Sequence, residues 1–170
     1  MAVSKKNNYL RAALAAHVAA WDSYLNKLVI EFVNSTTSPL DVEYSSMHSV
    51  YVQFATRTLE KFNTPNSNNS RVLLTQCTGY DPINDWVRRS AGMNGLQVRN
   101  FLDEILRVRY SFAHGFELPN CSWTVTSTGT TRLNIGSVQK YKRFLSHLVF
   151  ATDRGLGVYG TAHYPSKRLW

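Results

Sequence analysis

One stretch of the sequence brings together residue types that can do chemistry: Arg107-Val-Arg109-Tyr110-Ser-Phe-Ala-His114-Gly115. An arginine and a histidine are the pair needed to cleave RNA without a metal. The Arg109 guanidinium can grip a phosphate through parallel N–H donors and offset the charge that grows on its non-bridging oxygens. A histidine exchanges protons near neutral pH, so His114 can take the proton of a ribose 2′-hydroxyl or give one to the leaving 5′-oxygen. Spacing constrains this pair. Five residues at roughly 100° each set His114 about 140° around an ideal helix from Arg109. The two converge within one chain only if the last turn loosens, which Gly115 at a C-terminal cap permits. On spacing alone, the competing assignment is an exposed arginine and a histidine that caps the last carbonyls.

These residues need a helix to carry them. Val98, Phe101, Leu102, Ile105, Val108 and Phe112 lie on one apolar side of a helix predicted from about Leu96 to Ala113. Gly115 is its natural stop, and Pro119 shows that it has ended. Upstream, Leu10, Leu14, Val18, Trp21, Leu25, Leu28 and Phe32 recur at three- and four-residue spacings. They predict a long amphipathic helix over Tyr9 to Phe32. After a polar break at Asn34 to Pro39, a second helix is expected over Leu40 to Phe62, with its stripe at Met47, Tyr51, Phe54, Thr58 and Phe62. Asn63 to Ser70 is a turn-rich link too short to separate domains. Asn69 or Ser70 then caps a short helix that ends near Gly79, and Asp81-Pro82 opens another over Ile83 to Arg89.

Beyond the motif, Ser122 to Ile135 is rich in Thr, Val, Ile and Trp, with Gly129 near its middle, and predicts a small β-hairpin. Ser137 caps a last long helix through Ala151, with Val138, Tyr141, Leu145 and Leu148 as its stripe. Gly155 to Trp170 shows no helical period and reads as a basic tail packed on, or extending from, a domain formed by residues 1–154. The sum is an all-α bundle of four long helices, with short extra helices and a small hairpin before the last one.

The chain has 170 residues, 44% hydrophobic and 18% charged, which suits a single packed domain and excludes disorder. Its 19 Lys+Arg against 11 Asp+Glu give a formal charge of +8, which favours an anionic partner such as RNA. Cys77 and Cys121 are too few for a disulfide framework and too far apart for a C-x-x-C motif, so a reducing cytoplasmic setting is expected. Arg11 flanks and His17 interrupts the Ala12 to Ala20 run, so it predicts neither a signal peptide nor a membrane span. P-loop, dinucleotide-binding, nucleophile-elbow and zincin motifs are all missing from the sequence.

The motif Arg109-Tyr-Ser-Phe-Ala-His114-Gly115 resembles the R-x4-6-H signature of the HEPN superfamily, and its surroundings resemble the RiboL-PSP branch in particular. Ala13 to Phe32 is similar to that branch's first helix. Phe62-Asn-Thr-Pro-Asn66 is similar to its inter-helix turn, and Gly79 to Trp86 to the short-helix segment after it. Leu133 to Asp153 is similar to its closing helix. The resemblance implies a helical bundle and a metal-independent endoribonuclease without cofactor, of the kind found in toxins and antiphage defence. It also implies a homodimer that brings two Arg–His pairs into one cleft, and a regulatory partner such as an antitoxin. Carried over, Arg109 and His114 are catalytic, with Gly115 shaping the turn and Tyr110 supporting. Tyr110 departs from the small polar residue usual after the arginine, and this leaves room for a catalytically silent domain that binds RNA or a protein. Phe116 departs from the R-x4-H-x-Y pattern, which argues against regulation by modification of a tyrosine there. A regulatory nucleotide-binding module is a third reading.

Other basic residues are candidates for RNA contact. Arg88, Arg89, Arg99 and Arg107 can line a phosphate track beside the cleft, and Lys140, Lys142, Arg143 and Lys167-Arg168 can add further contacts. Asp103 or Glu104 is expected to pair with Arg107 along the helix. His17, His48, His147 and His163 lack metal-ligand spacing and are expected to be packed or surface residues. Trp21 and Trp86 are expected in the core.

Overall fold

A computed structural model describes residues 2–37 and 45–165. Its long elements are α1 (Ala2–Thr36), α2 (Ser45–Lys61), α3 (Ser67–Thr78), α4 (Gly95–Ala113) and α5 (Ile135–His163), with 3-10 turns at Pro82–Asn84 and Arg89–Ala91. The described residues form an all-α bundle without a sheet. Helix α1 is the common partner of the other four. Its three- and four-residue spacing buries Leu14, Val18, Trp21, Leu25 and Phe32 on one side, as predicted. Val98, Leu102, Ile105 and Val108 of α4 meet that side.

Trp21 and Trp86 sit in the centre, 1% and 0% exposed, with ring centroids 6.3 Å apart. Each buried indole N–H is satisfied: Trp21 donates to the Pro65 carbonyl at 3.1 Å and Trp86 to Thr152 Oγ1 at 2.9 Å. Removing such a side chain costs about 3–5 kcal/mol, because the cavity left behind cannot fully collapse.

Several sequence expectations need correction. In α2, Met47 and Phe54 are exposed, and the inward line runs through Tyr51, Val52, Ala55, Leu59 and Phe62. The small Ala55 occupies the contact, and of the large side chains in the expected stripe Met47 and Phe54 turn outward while Tyr51 and Phe62 pack inward. The part of that helix expected over residues 40–44 lies outside the described residues. Helix α3 starts earlier than expected. Asn66 caps it by accepting from the Asn69 N–H, and Gly79 ends it in the left-handed conformation at φ +75°. Asp81 does cap the turn that opens at Pro82, accepting from the Ile83 N–H at 3.1 Å, but the turn stops at Asn84.

The hairpin is replaced by a chain reversal with one antiparallel bridge, Val125 to Thr131. Across it the Thr126 N–H donates to the Thr130 carbonyl at 2.9 Å and the Arg132 N–H to the Thr124 carbonyl at 2.8 Å, while a threonine hydroxyl ties down the chain leading in. Thr124 Oγ1 accepts from the Cys121 N–H and donates to the Pro119 carbonyl, each at 2.8 Å. Finally, α5 is capped by Asn134 and continues through the expected tail to His163. Gly155, at the start of the expected tail, is a contact point there. A Cβ on Gly155 would lie 1.9 Å from Tyr80 Oη and 2.5 Å from Asp85 Oδ2. Residues 166–170 of that tail lie outside the described part. Among the described residues, no helix is long and apolar enough to cross a membrane.

Candidate active site

Helix α4 is fixed at its start and along its length. Asn94 and Gln97 form a reciprocal capping box, with hydrogen bonds of 3.0 and 2.9 Å. Asp103 accepts from both the N–H and the hydroxyl of Ser67, each at 2.8 Å, and so ties α4 to the first turn of α3. Glu104 accepts from the Trp123 indole at 3.0 Å. These partners correct the expected pairing with Arg107, whose Nη2 instead donates to Cys121 Sγ at 3.2 Å. The two carboxylates join separate segments of the fold.

The exit of α4 is equally defined. His114 is the C-cap, and its N–H still donates to the Tyr110 carbonyl at 3.2 Å. Gly115 takes φ +69°, and the Phe116 N–H returns to the Ser111 carbonyl at 2.8 Å, the bond of a Schellman ending. The last turn therefore does not loosen. The imidazole of His114 lies 4.1 Å from the Tyr110 ring and 5.9 Å from the Phe116 ring. This aromatic group is exposed, with Tyr110 and Phe116 53% and 61% accessible. Among the described residues, no hydrogen bond or ring contact joins Arg109 to His114.

Arg109 instead opens onto a groove of about 160 Å³ that it lines with Tyr110, the turn at Asn63, Thr64 and Pro65, and Asp22 of α1. Ala15 and Ala19 leave the space for it. Burial pushes the Asp22 carboxyl above its ordinary range, against the lesser opposing pulls of the Asn26 amide and the Arg109 cation. Sequence reasoning missed Asp22. Its only signal was a carboxylate next to the core Trp21, on a flank otherwise populated by small residues. The groove offers a guanidinium, a phenol and a carboxylate to a ligand, and the His114 imidazole lies outside its lining, beside the Tyr110 ring.

The expected phosphate track is divided by the fold. Arg88 and Lys140 meet across a cavity of about 360 Å³. Arg89 lines a different one, of about 630 Å³, with His147 and Arg154. Arg99 turns toward the start of its own helix, where its Nη1 would be 3.3 Å from a Cβ on Gly95. Arg107 is held by Cys121, and Arg143 is exposed on α5. Of the expected basic contacts, Arg88 and Lys140 line one cavity together.

The remaining candidates serve packing. His17 stands edge-on to the buried Tyr141, and burial, aided by Lys142, lowers its pKa. The ring of His147 meets the Val87 carbonyl at 2.8 Å, and His163 stacks on Tyr159. His48 contacts the Thr37 hydroxyl. Cys77 and Cys121 are buried free thiols. Among the described residues, no three metal-ligating side chains gather. Comparison with protein-family models, curated proteins and solved structures finds no match to this chain.

Proposed function

We propose that this chain is a HEPN-type endoribonuclease that cuts RNA without a metal, acting in the cytoplasm as a toxin or antiphage effector. The observation that carries the reading is the end of α4. There an unburied guanidinium edges a groove, and an imidazole is held in the open five residues later by ring contacts and a closed helix cap. Arg109 and His114 face different neighbours within one chain, so the working site is composite. A two-fold axis beside the C-terminal end of α4 sets the arginine of one copy and the histidine of the other on a single phosphate. Exposed Tyr110 and Phe116 supply apolar surface for such an interface.

In this site the ribose 2′-oxygen attacks the adjacent phosphorus and the 5′-oxygen leaves. One imidazole takes the 2′ proton, and the other, already protonated, delivers one to the leaving oxygen. Arg109 holds the non-bridging oxygens, where charge accumulates, and the Tyr110 hydroxyl donates to the same group. The products are a 2′,3′-cyclic phosphate and a free 5′-hydroxyl. A neutralising partner such as an antitoxin would cover this end of the helix.

Incubation of labelled RNA with the purified protein tests the reading. Cleavage is expected to survive EDTA, to stop at a 2′-deoxy substitution at the cut site, and to accompany a species of about twice 19.3 kDa by light scattering. A strict Mg²⁺ requirement, or full activity in a monomer, overturns it. A second reading, a silent domain that binds RNA or a protein, is favoured by the Tyr110 ring lying 4.1 Å from the imidazole. RNA clipping that His114→Ala abolishes decides between them.

A further inference from the structure

The cavity between Arg88 and Lys140 lies outside the proposed cleavage site. At about 360 Å³ it falls in the range of small-ligand pockets. Two cations stand over it, and among the described residues neither enters a salt bridge. The backbone of one and the ammonium of the other are held in place. The Arg88 backbone is locked to Met93 by reciprocal hydrogen bonds of 2.9 and 3.1 Å. The Lys140 ammonium sits 5.4 Å above the Phe101 ring. Gln97, Asn100 and Glu104 line the same cavity from α4. This combination suits a nucleotide, with positive charge for the phosphate and amides and a carboxylate for the edge of a base.

The polar set also discriminates among bases. A side-chain amide pairs in two-point fashion with the amino group and ring nitrogen of adenine. Glu104 Oε2 is engaged by the Trp123 indole, which leaves Oε1 to accept from an exocyclic amine and to repel the carbonyl oxygens of uracil. Position on α4 links the cavity to the cleavage end. Asn100, Arg107 and His114 are spaced seven apart, so they follow one line along the helix with only about 20° of drift per step. At 1.5 Å per residue, the line from Asn100 to His114 covers roughly 20 Å, a few nucleotides of extended strand.

We infer that this cavity is a base-reading subsite, which holds an adenine nucleotide of the RNA strand a short distance from the bond that is cut. The inference rests on the ribonuclease reading above for its placement on the substrate, although binding can be measured without cleavage. Titration of AMP and UMP into the full chain, followed by calorimetry, is the first arm. AMP is expected to bind at least about 10-fold more tightly than UMP, in line with a two-point base contact. Arg88→Ala and Lys140→Ala are each expected to weaken AMP by about 10-fold. Glu104→Gln keeps an acceptor for Trp123 and is expected to erase the preference for adenine. Thermal melts confirm that each variant is folded, and His114→Ala should bind AMP as the unaltered chain does.

The second arm uses 2′-O-methyl tetraadenylate, which cannot be cut by 2′-oxygen attack. It is expected to bind at least about 10-fold more tightly than AMP and to lose that gain in Arg107→Ala. Equal affinity for AMP and UMP, or indifference to both cation substitutions, overturns the subsite. A tetranucleotide no tighter than AMP overturns its assignment to the RNA strand and leaves a site for a free nucleotide. Adenylate binding as described in a protein that never clips RNA retains the base-reading cavity and removes only the nuclease reading.

Discussion

The two ends of α4 are built on opposite principles. Toward its beginning, polar groups tie the helix to itself and to the fold. Asn94 and Gln97 satisfy each other's N–H and Asp103 holds Ser67, and in the preceding segment Arg71 of α3 grips the Asp81 cap of the Pro82–Asn84 turn through two hydrogen bonds of 2.8 and 2.5 Å. At its end the backbone is closed just as fully, by the Ser111 to Phe116 bond, but Arg109, Tyr110, His114 and Phe116 face outward. A helix whose backbone is finished at both termini can keep side chains fixed at one of them without drawing those side chains into the core. Rigidity and availability are thereby separated along a single element.

The sharpest test of this contrast is to change the outward end. His114→Ala and Arg109→Ala are each expected to lower RNA cleavage by at least about 10²-fold. Their melting temperatures should stay at the unaltered value, because neither side chain supports a buried contact. Arg109→Lys should not restore activity, since a lysine cannot present the guanidinium fork. Single-turnover cleavage read beside a thermal melt checks both halves of the statement, and a large loss of stability would break the contrast.

The converse change is smaller and of another kind. Asp103→Ala removes two charge-assisted hydrogen bonds between α4 and α3 and is expected to cost about 1–2 kcal/mol, read from the urea midpoint. Cleavage per folded molecule should not change. If it falls as steeply as in His114→Ala, the two ends are coupled and the separation fails.

The smallest effect concerns pH. The hydrogen-bonded Arg71 guanidinium holds the Asp81 carboxyl below its ordinary range. In the unfolded chain the same carboxyl titrates near pH 3.9. The stabilisation is therefore fully present above that value and is lost as the pH falls through the lower, folded-state pKa, because the unfolded chain takes up the proton first. Urea midpoints measured downward from pH 5 should decline, and Arg71→Ala should make that decline shallower.

Much of this frame is legible in the sequence. The apolar spacings of α1 and α4 mark their buried sides, Asp81-Pro82 marks a cap, and Gly115 marks the stop that leaves His114 at a helix end. The misreadings share a physical cause. Gly155 reads as a helix breaker because intrinsic propensity disfavours it, yet the approach of Tyr80 and Asp85 selects a residue with no Cβ there. Thr124 reads as strand, while its hydroxyl serves the backbone locally. Met47 and Phe54 read as core because size was counted, where Ala55 makes the contact. Asp22 carries only the faint signal of a carboxylate beside Trp21, and the basic cluster that includes Arg88 does not say which residues it meets. The significance of Asp22 and Arg88 comes from α1 reaching Arg109 and from the 88–93 turn reaching Lys140, contacts between residues far apart in the chain.

Helix α1 packs against all four of the other long helices, and it precedes every one of them in the chain. During synthesis its apolar face must therefore wait for its partners. The last of them, α5, begins at Ile135, and at ribosomal rates of 5–20 residues per second the interval from the end of α1 is about 5–20 s. Over that time Trp21, Leu25 and Phe32 lack the covering that the finished protein gives them. The order of manufacture thus makes α1 the segment most exposed to chaperones and to aggregation, and it delays a complete core until the final helix has been made.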